Sequence, residues 1–187
     1  MNKPLYLFVG PSGSGKTSVA NVLEEQYGYK QVNSYTTRKP RYDGETGHIF
    51  VTKKEFDALG DLTAYTVYNG NEYGVTADII DQSDVYVIDV PGLETLLDNY
   101  TNRNRTIHVI YFKSTVSTRI DRMLDRGDYD SAILSRLHTD EQYDWSIKIQ
   151  NIILKPNKPE RVRVWLHTID ANKELNDVVQ QVLSVLE

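Results

Sequence analysis

Two clusters of residues have the types and spacing to hold phosphate. The first, Gly10-Pro11-Ser12-Gly13-Ser14-Gly15-Lys16-Thr17, fits the pattern G-x-x-x-x-G-K-[ST]. Glycines at this spacing let backbone N–H groups converge on phosphate oxygens. The lysine then reaches the β and γ phosphates of a nucleoside triphosphate, and the threonine hydroxyl is a ligand for Mg²⁺. The second cluster, Ser34-Tyr35-Thr36-Thr37-Arg38-Lys39-Pro40-Arg41, concentrates Arg38, Lys39 and Arg41 in a chain whose formal net charge is −5. Pro40 fixes one backbone angle and biases Lys39 toward an extended form. Two guanidiniums around it can fork onto the oxygens of one phosphate, with Ser34 and Thr37 adding hydroxyl donors. A solvated basic loop is the competing reading of such a cluster, and the first motif tips the balance toward anion binding.

The elements that must position these clusters follow from periodicity. Leu5 to Val9 is a continuous apolar run, as expected of a strand covered on both faces, and it leads directly into the first motif. Helical spacing takes over at Val19, Val22 and Leu23, with a stop at Tyr27-Gly28. Val85 to Val90 and Ile107 to Phe112 are further buried-strand candidates, and Leu93, Leu96, Leu97 and Tyr100 mark a helical face between them. Val162 to Leu166 reads as a strand, and Leu175 to Leu186 as a helix with a long apolar stripe. Strand and helix alternate, so the expected architecture is an α/β three-layer fold with a mainly parallel sheet. Two segments break the rhythm. Residues 34–76, rich in glycine with β-like pieces at Ile49 to Thr52 and Leu62 to Tyr68, read as a small inserted β lobe. Residues of about 126–138, polar and opening on Arg126-Gly127-Asp128, read as a mobile lid between two helices. The core is then 1–33, 77–125 and 139–187 of a single domain, with a surface loop at Lys155 to Glu160.

Composition narrows the partner. With 187 residues and 40% hydrophobic content the chain can bury one substantial core. A pI near 5.4 argues against binding nucleic acid over the whole surface, so the expected partner is a small anionic molecule. There is no cysteine, which excludes disulfides and thiolate zinc sites. The Leu5 to Val9 run is too short for a membrane span or a signal segment, so no membrane partner and a cytoplasmic location are expected.

Five stretches, in order and at similar spacing, resemble guanylate kinase: “GPSGSGKT”, “SYTTRKPR”, “GETGHIFVTKKEF”, “YNGNEYGVT” and “VIDVPG”. The resemblance spans roughly residues 4–140. It implies a P-loop core with a monophosphate-binding lobe and a lid, and MgATP-dependent phosphorylation of GMP to GDP. It further implies an acceptor-phosphate clamp of Ser34, Arg38, Arg41 and Tyr73, with His48 where the family carries a tyrosine. Arg126 and Arg136 align with the arginines that neutralise the transferring phosphoryl group. Asp89, at the end of the buried strand Val85 to Ile88, is a candidate to orient Mg²⁺-bound water or the base. Arg119 and Arg122 share a helical face with Arg126, where pairing with Asp121 and Asp125 is the alternative to function.

The pattern departs from the family where guanine is read. The family's glutamate and serine align with Ala64 and Val75, neither of which can hydrogen-bond a base edge, leaving Thr76, Glu72 and Asp89 as substitutes. Gly74-Val75, His48 and the absent glutamate are also similar to the ribose 1,5-bisphosphate phosphokinases, which take a sugar phosphate. A third alternative is a guanylate-kinase-like binding module without catalysis; Lys16, Thr17, Arg126 and Arg136 weigh against it.

Overall fold

A computed structural model describes residues 3–40, 43–141, 144–155 and 162–186. In β1 (Leu5–Val9) every residue is buried, and successive side chains enter different cores. Leu5, Leu7 and Val9 pack with Leu93, Leu96, Val109 and Ile149, whereas Tyr6 and Phe8 pack with Val19, Leu23, Phe112 and Val179. Period-two alternation with both faces apolar is what a central strand of a layered α/β fold requires. The helix α1 (Lys16–Tyr27) covers the second face. It stops at Gly28, whose left-handed φ of 72° lets its N–H reach the Glu24 carbonyl while Tyr29 N–H reaches that of Leu23.

The chain then builds a second sheet from β2 (Ser34–Thr36), β3 (His48–Phe50), β4 (Ala64–Tyr68) and β5 (Asn71–Val75), with α2 (Lys53–Asp57) between β3 and β4. Its order is β3-β2-β5-β4, parallel between β2 and β3 and antiparallel elsewhere. β4 and β5 are joined at Asn69-Gly70, both at positive φ, the dipeptide that a tight hairpin turn demands. After α3 (Ala77–Asp81) come β6 (Val85–Val87), α4 (Val90–Asn99), β7 (Ile107–Lys113), α5 (Val116–Asp125), α6 (Asp130–Glu141), α7 (Trp145–Leu154), β8 (Val164–Asp170) and α8 (Leu175–Leu186). The main sheet is parallel throughout, in the order β6-β1-β7-β8.

Several boundaries differ from the sequence reading. The strand expected over Val85 to Val90 ends at Val87, because Asp89 caps α4 by accepting from Gly92 N–H and Pro91 suits a first helical turn. Thr52 likewise leaves the expected Ile49 to Thr52 strand to form a capping box with Glu55. The Leu62 to Tyr68 strand begins only at Ala64. The last strand runs over Val164–Asp170 instead of Val162 to Leu166: at the sheet edge His167, Thr168 and Asp170 pair with β7 without being apolar. Most of the segment read as a polar mobile lid is helix α6. It rests on α5 through Ile133 and Leu137, which meet Ile120 and Met123, and this narrow stripe hides within a polar sequence. Of the loop read at Lys155 to Glu160, residues 156–160 lie outside the described residues.

Candidate active site

Because β6 and β7 flank β1 on opposite sides, the carboxyl end of β1 is the point where the sheet's connections diverge, and ligands of parallel sheets bind there. The loop 10–17 leaves β1 at this point and ends in α1. Two of its glycines are required by close approach. A Cβ on Gly10 would lie 2.8 Å from the Phe112 carbonyl oxygen, and one on Gly13 would lie 2.7 Å from that of Arg119. Gly13 also has φ of 78°. Gly13→Ala is therefore expected to cost about 1–3 kcal/mol and to lower Tm by roughly 3–10 °C, measured by circular dichroism.

The N-terminus of α1 has no side-chain cap: Gly15 stands at the capping position, so the first N–H groups face outward as an anion site. Lys16 folds back over the loop, donating to the carbonyls of Gly10 (2.7 Å) and Pro11 (2.8 Å) and to Ser14 Oγ (3.2 Å). Burial of its ammonium pulls its pKa down to about 8. Thr17 is exposed on the first turn, and the described residues contain no cluster of three or more acidic or histidine side chains to hold a metal. A lone hydroxyl fits Mg²⁺, which keeps several waters and takes its remaining ligands from phosphates.

A cavity of about 670 Å³ opens from the loop, lined among others by Thr17, Arg122, Asp125, Asn172 and Lys173. The stretch around Asn172 was not singled out from the sequence; it follows the true end of β8, which lies beyond the expected one. Arg122 donates to the carbonyls of Ala171 (2.8 Å) and Lys173 (2.8 Å), so it shapes this wall instead of pairing with Asp121 or Asp125. Arg119 turns inward and pairs with Asp140. Arg126 and Arg136 converge on Asp128: Arg126 Nε donates to Oδ1 at 2.9 Å, its Nη2 pairs with Oδ2, and Arg136 Nε lies 3.6 Å from Oδ2.

The second cluster is assembled by the small sheet. Ser34 on β2 stands opposite His48 on β3, with Ser34 Oγ 3.0 Å from His48 Nδ1. The Tyr73 ring meets His48 edge-on at 5.6 Å between centroids. Arg38 follows β2, lies 5.3 Å over the Phe50 ring, and makes a two-pronged pair with Glu45 at 2.8 and 3.1 Å. Its side chain is only 13% exposed, and Nε is buried with no hydrogen-bond partner among the described residues. Arg41 lies outside the described residues.

Between the clusters, Asp89 accepts from Thr66 Oγ1 and Gly92 N–H, both at 2.8 Å, tying the small sheet to the start of α4. Burial raises its pKa, against the opposing effect of these hydrogen bonds. Ala64 and Val75 face each other across β4 and β5 and belong to the apolar core with Ile80, Tyr86 and Leu93. Of the substitutes considered for base reading, Glu72 is engaged by the Tyr65 hydroxyl (3.0 Å) and Lys53 (2.8 Å), and Thr76 precedes α3.

Asp140 is the residue that the sequence reading missed outright. The signal was present: Ile133, Leu137 and Asp140 fall at i, i+4 and i+7, which puts a carboxylate on the apolar face of α6.

No protein-family model matches the chain. Among curated proteins it is similar to a guanylate kinase of Fusobacterium nucleatum, 27% identical over 165 residues covering 80% of this chain and 86% of that one. A guanylate kinase of Thermotoga maritima is 27% identical over 199 aligned positions, covering all of this chain and 87% of the relative. One from Mannheimia succiniciproducens reaches 38% over 98 residues, 46% of each chain. The crystal structure of guanylate kinase from Anaplasma phagocytophilum shares the fold, with a TM-score of 0.56 at 21% identity over 98% of this chain and 84% of that one. Relatives thus align along its length with the motifs in the same order, and the chain is similar to guanylate kinases in sequence and in fold.

Proposed function

We propose that the chain is an ATP-dependent phosphotransferase acting on a nucleoside monophosphate, GMP to GDP first. The observation that carries this reading is the pair of phosphate-type sites, the uncapped start of α1 with Lys16 and the Ser34–His48–Tyr73–Arg38 cluster, on either side of the Asp89–Thr66 link. ATP docks its phosphates on residues 10–17. Thr17 would hold Mg²⁺, which would supply charge neutralisation to the phosphates. The acceptor phosphate is held by Ser34, Arg38, Arg41, His48 and Tyr73, and Arg126 and Arg136 exchange Asp128 for the transferring group. Catalysis is then positioning and electrostatic compensation, with no general base assigned. No helix among the described residues is long and apolar enough to cross a membrane; a cytoplasmic location belongs to the same proposal.

A second reading, a sugar-phosphate acceptor such as ribose 1,5-bisphosphate, is favoured by one observation: Ala64 and Val75 are 1% and 0% exposed and offer no polar group to a base. A coupled assay of GMP, dGMP, AMP, UMP, CMP and ribose 1,5-bisphosphate with MgATP decides between them. Turnover highest with GMP or dGMP is expected. Turnover confined to the bisphosphate selects the second reading, and ATP binding without transfer to any acceptor selects a binding module.

A further inference from the structure

The loop read as the donor site is held from behind by a carboxylate. Asp140, in the last turn of α6, accepts a hydrogen bond from Ser12 N–H at 2.9 Å and pairs with Arg119 Nη2 at 3.1 Å. Asp140 is 7% exposed and Arg119 5%, so the pair sits in a poorly solvated layer where charges act strongly. The layer is in direct contact with the loop, since the backbone of Arg119 is what forbids a Cβ on Gly13.

A carboxylate here has two opposed effects. As an acceptor it fixes Ser12 through its backbone N–H. As a negative charge it lowers the positive potential of the cradle and works against a triphosphate. Arg119 removes the second effect without removing the first. Consistent with this placement, Asp140 and Arg119 bias the Lys16 ammonium in opposite directions, the carboxylate favouring its charge and the guanidinium opposing it. Fold stability alone does not account for the arrangement: a buried ion pair is often no more stabilising than well-packed apolar residues of the same volume, and Arg119 keeps Nε buried with no partner among the described residues.

We propose that Asp140 and Arg119 are positioning residues of the donor site, a charge-balanced anchor that immobilises Ser12 while leaving the positive potential of the cradle to the phosphates of ATP. The inference rests on the donor-site reading above.

The test is calorimetric binding of MgATP without acceptor to the wild-type chain, Arg119→Met and Asp140→Asn, with Tm recorded for each. Arg119→Met leaves the carboxylate uncompensated and is expected to weaken ATP roughly ten-fold. Asp140→Asn keeps an oxygen for Ser12 N–H and leaves the guanidinium charge, and is expected to tighten ATP roughly three-fold. Opposite signs are the mark of charge balance. A scaffold pair would weaken ATP in both variants in step with Tm, and that result, or unchanged affinity in both, overturns the inference. Should Arg119→Met not fold, Asp140→Asn decides alone, and unchanged or weaker binding overturns it. A wild-type chain that does not bind ATP overturns the donor-site reading and this inference together, which separates that failure from the others.

Discussion

Lys16→Ala is expected to lower kcat/KM for phosphoryl transfer by about a thousand-fold, with Tm nearly unchanged. The ammonium is the one side-chain cation inside the loop, held by the carbonyls of Gly10 and Pro11 and by Ser14 Oγ. These acceptors aim it without neutralising it, so a γ phosphate entering the cradle meets a full charge in a site that solvent reaches poorly. Stability should change little, because the lost hydrogen bonds are offset by no longer burying a charge. The lowered pKa adds a second measurement. At pH 8.5, above its value of about 8, the lysine of the empty protein is mostly neutral. A triphosphate favours the charged form, so ATP binding should take up a proton at that pH, and the Lys16→Ala variant should not. Calorimetry in buffers of different ionisation enthalpy measures the uptake. An alanine variant with wild-type kcat/KM would remove the lysine from the mechanism.

Arg38→Ala carries the second largest expectation, a loss of about a hundred- to a thousand-fold in kcat/KM for the acceptor, with the KM for ATP close to wild type. Its guanidinium is pinned between Glu45 and the Phe50 ring, so the fork is rigid before any acceptor arrives. Unlike Lys16, it also has a structural role. Glu45 is 6% exposed at its side chain, and loss of its two-pronged partner is expected to lower stability by up to about 3–5 kcal/mol. Arg38→Lys separates the two roles: it keeps charge for Glu45 but loses the planar fork, so it should recover much of the stability and little of the activity. Steady-state kinetics beside thermal melts provide the comparison, and an Arg38→Ala enzyme with unchanged acceptor kinetics would dissolve the clamp.

What could be read from the sequence was what is local. The Leu5 to Val9 strand, the loop after it and the glycine that ends α1 each follow from neighbouring residues, and each stands where expected. The Asn69-Gly70 hairpin joins β4 and β5 within the segment read as a β lobe. The rest depended on partners distant in the chain. The full extent of β8 is visible only through its register with β7, because an edge strand is under little pressure to be apolar. The helix α6 was concealed by a two-residue stripe that makes sense only against α5. At the site, motif spacing identified the loop but not the inward turn of Arg119, the joint hold of Asp128 on Arg126 and Arg136, or the support from Asp140, which lies 128 positions from Ser12. Ala64 and Val75 were recognised as unable to read a base; that they are core residues required the packing around them.

The contacts of Gly10 with Phe112 and of Ser12 with Asp140 also bear on how the protein is made. During synthesis the loop leaves the ribosome well ahead of the strand and helices that shape it, which follow about a hundred residues or more later. At typical elongation rates that interval is on the order of ten seconds. Throughout it the loop is an unsupported glycine-rich segment, whereas β4 and β5, only a tight turn apart, can already pair. On the proposed donor-site reading, ATP therefore cannot serve as a template for the emerging loop, and capacity to bind it should appear only once α6 has emerged and docked.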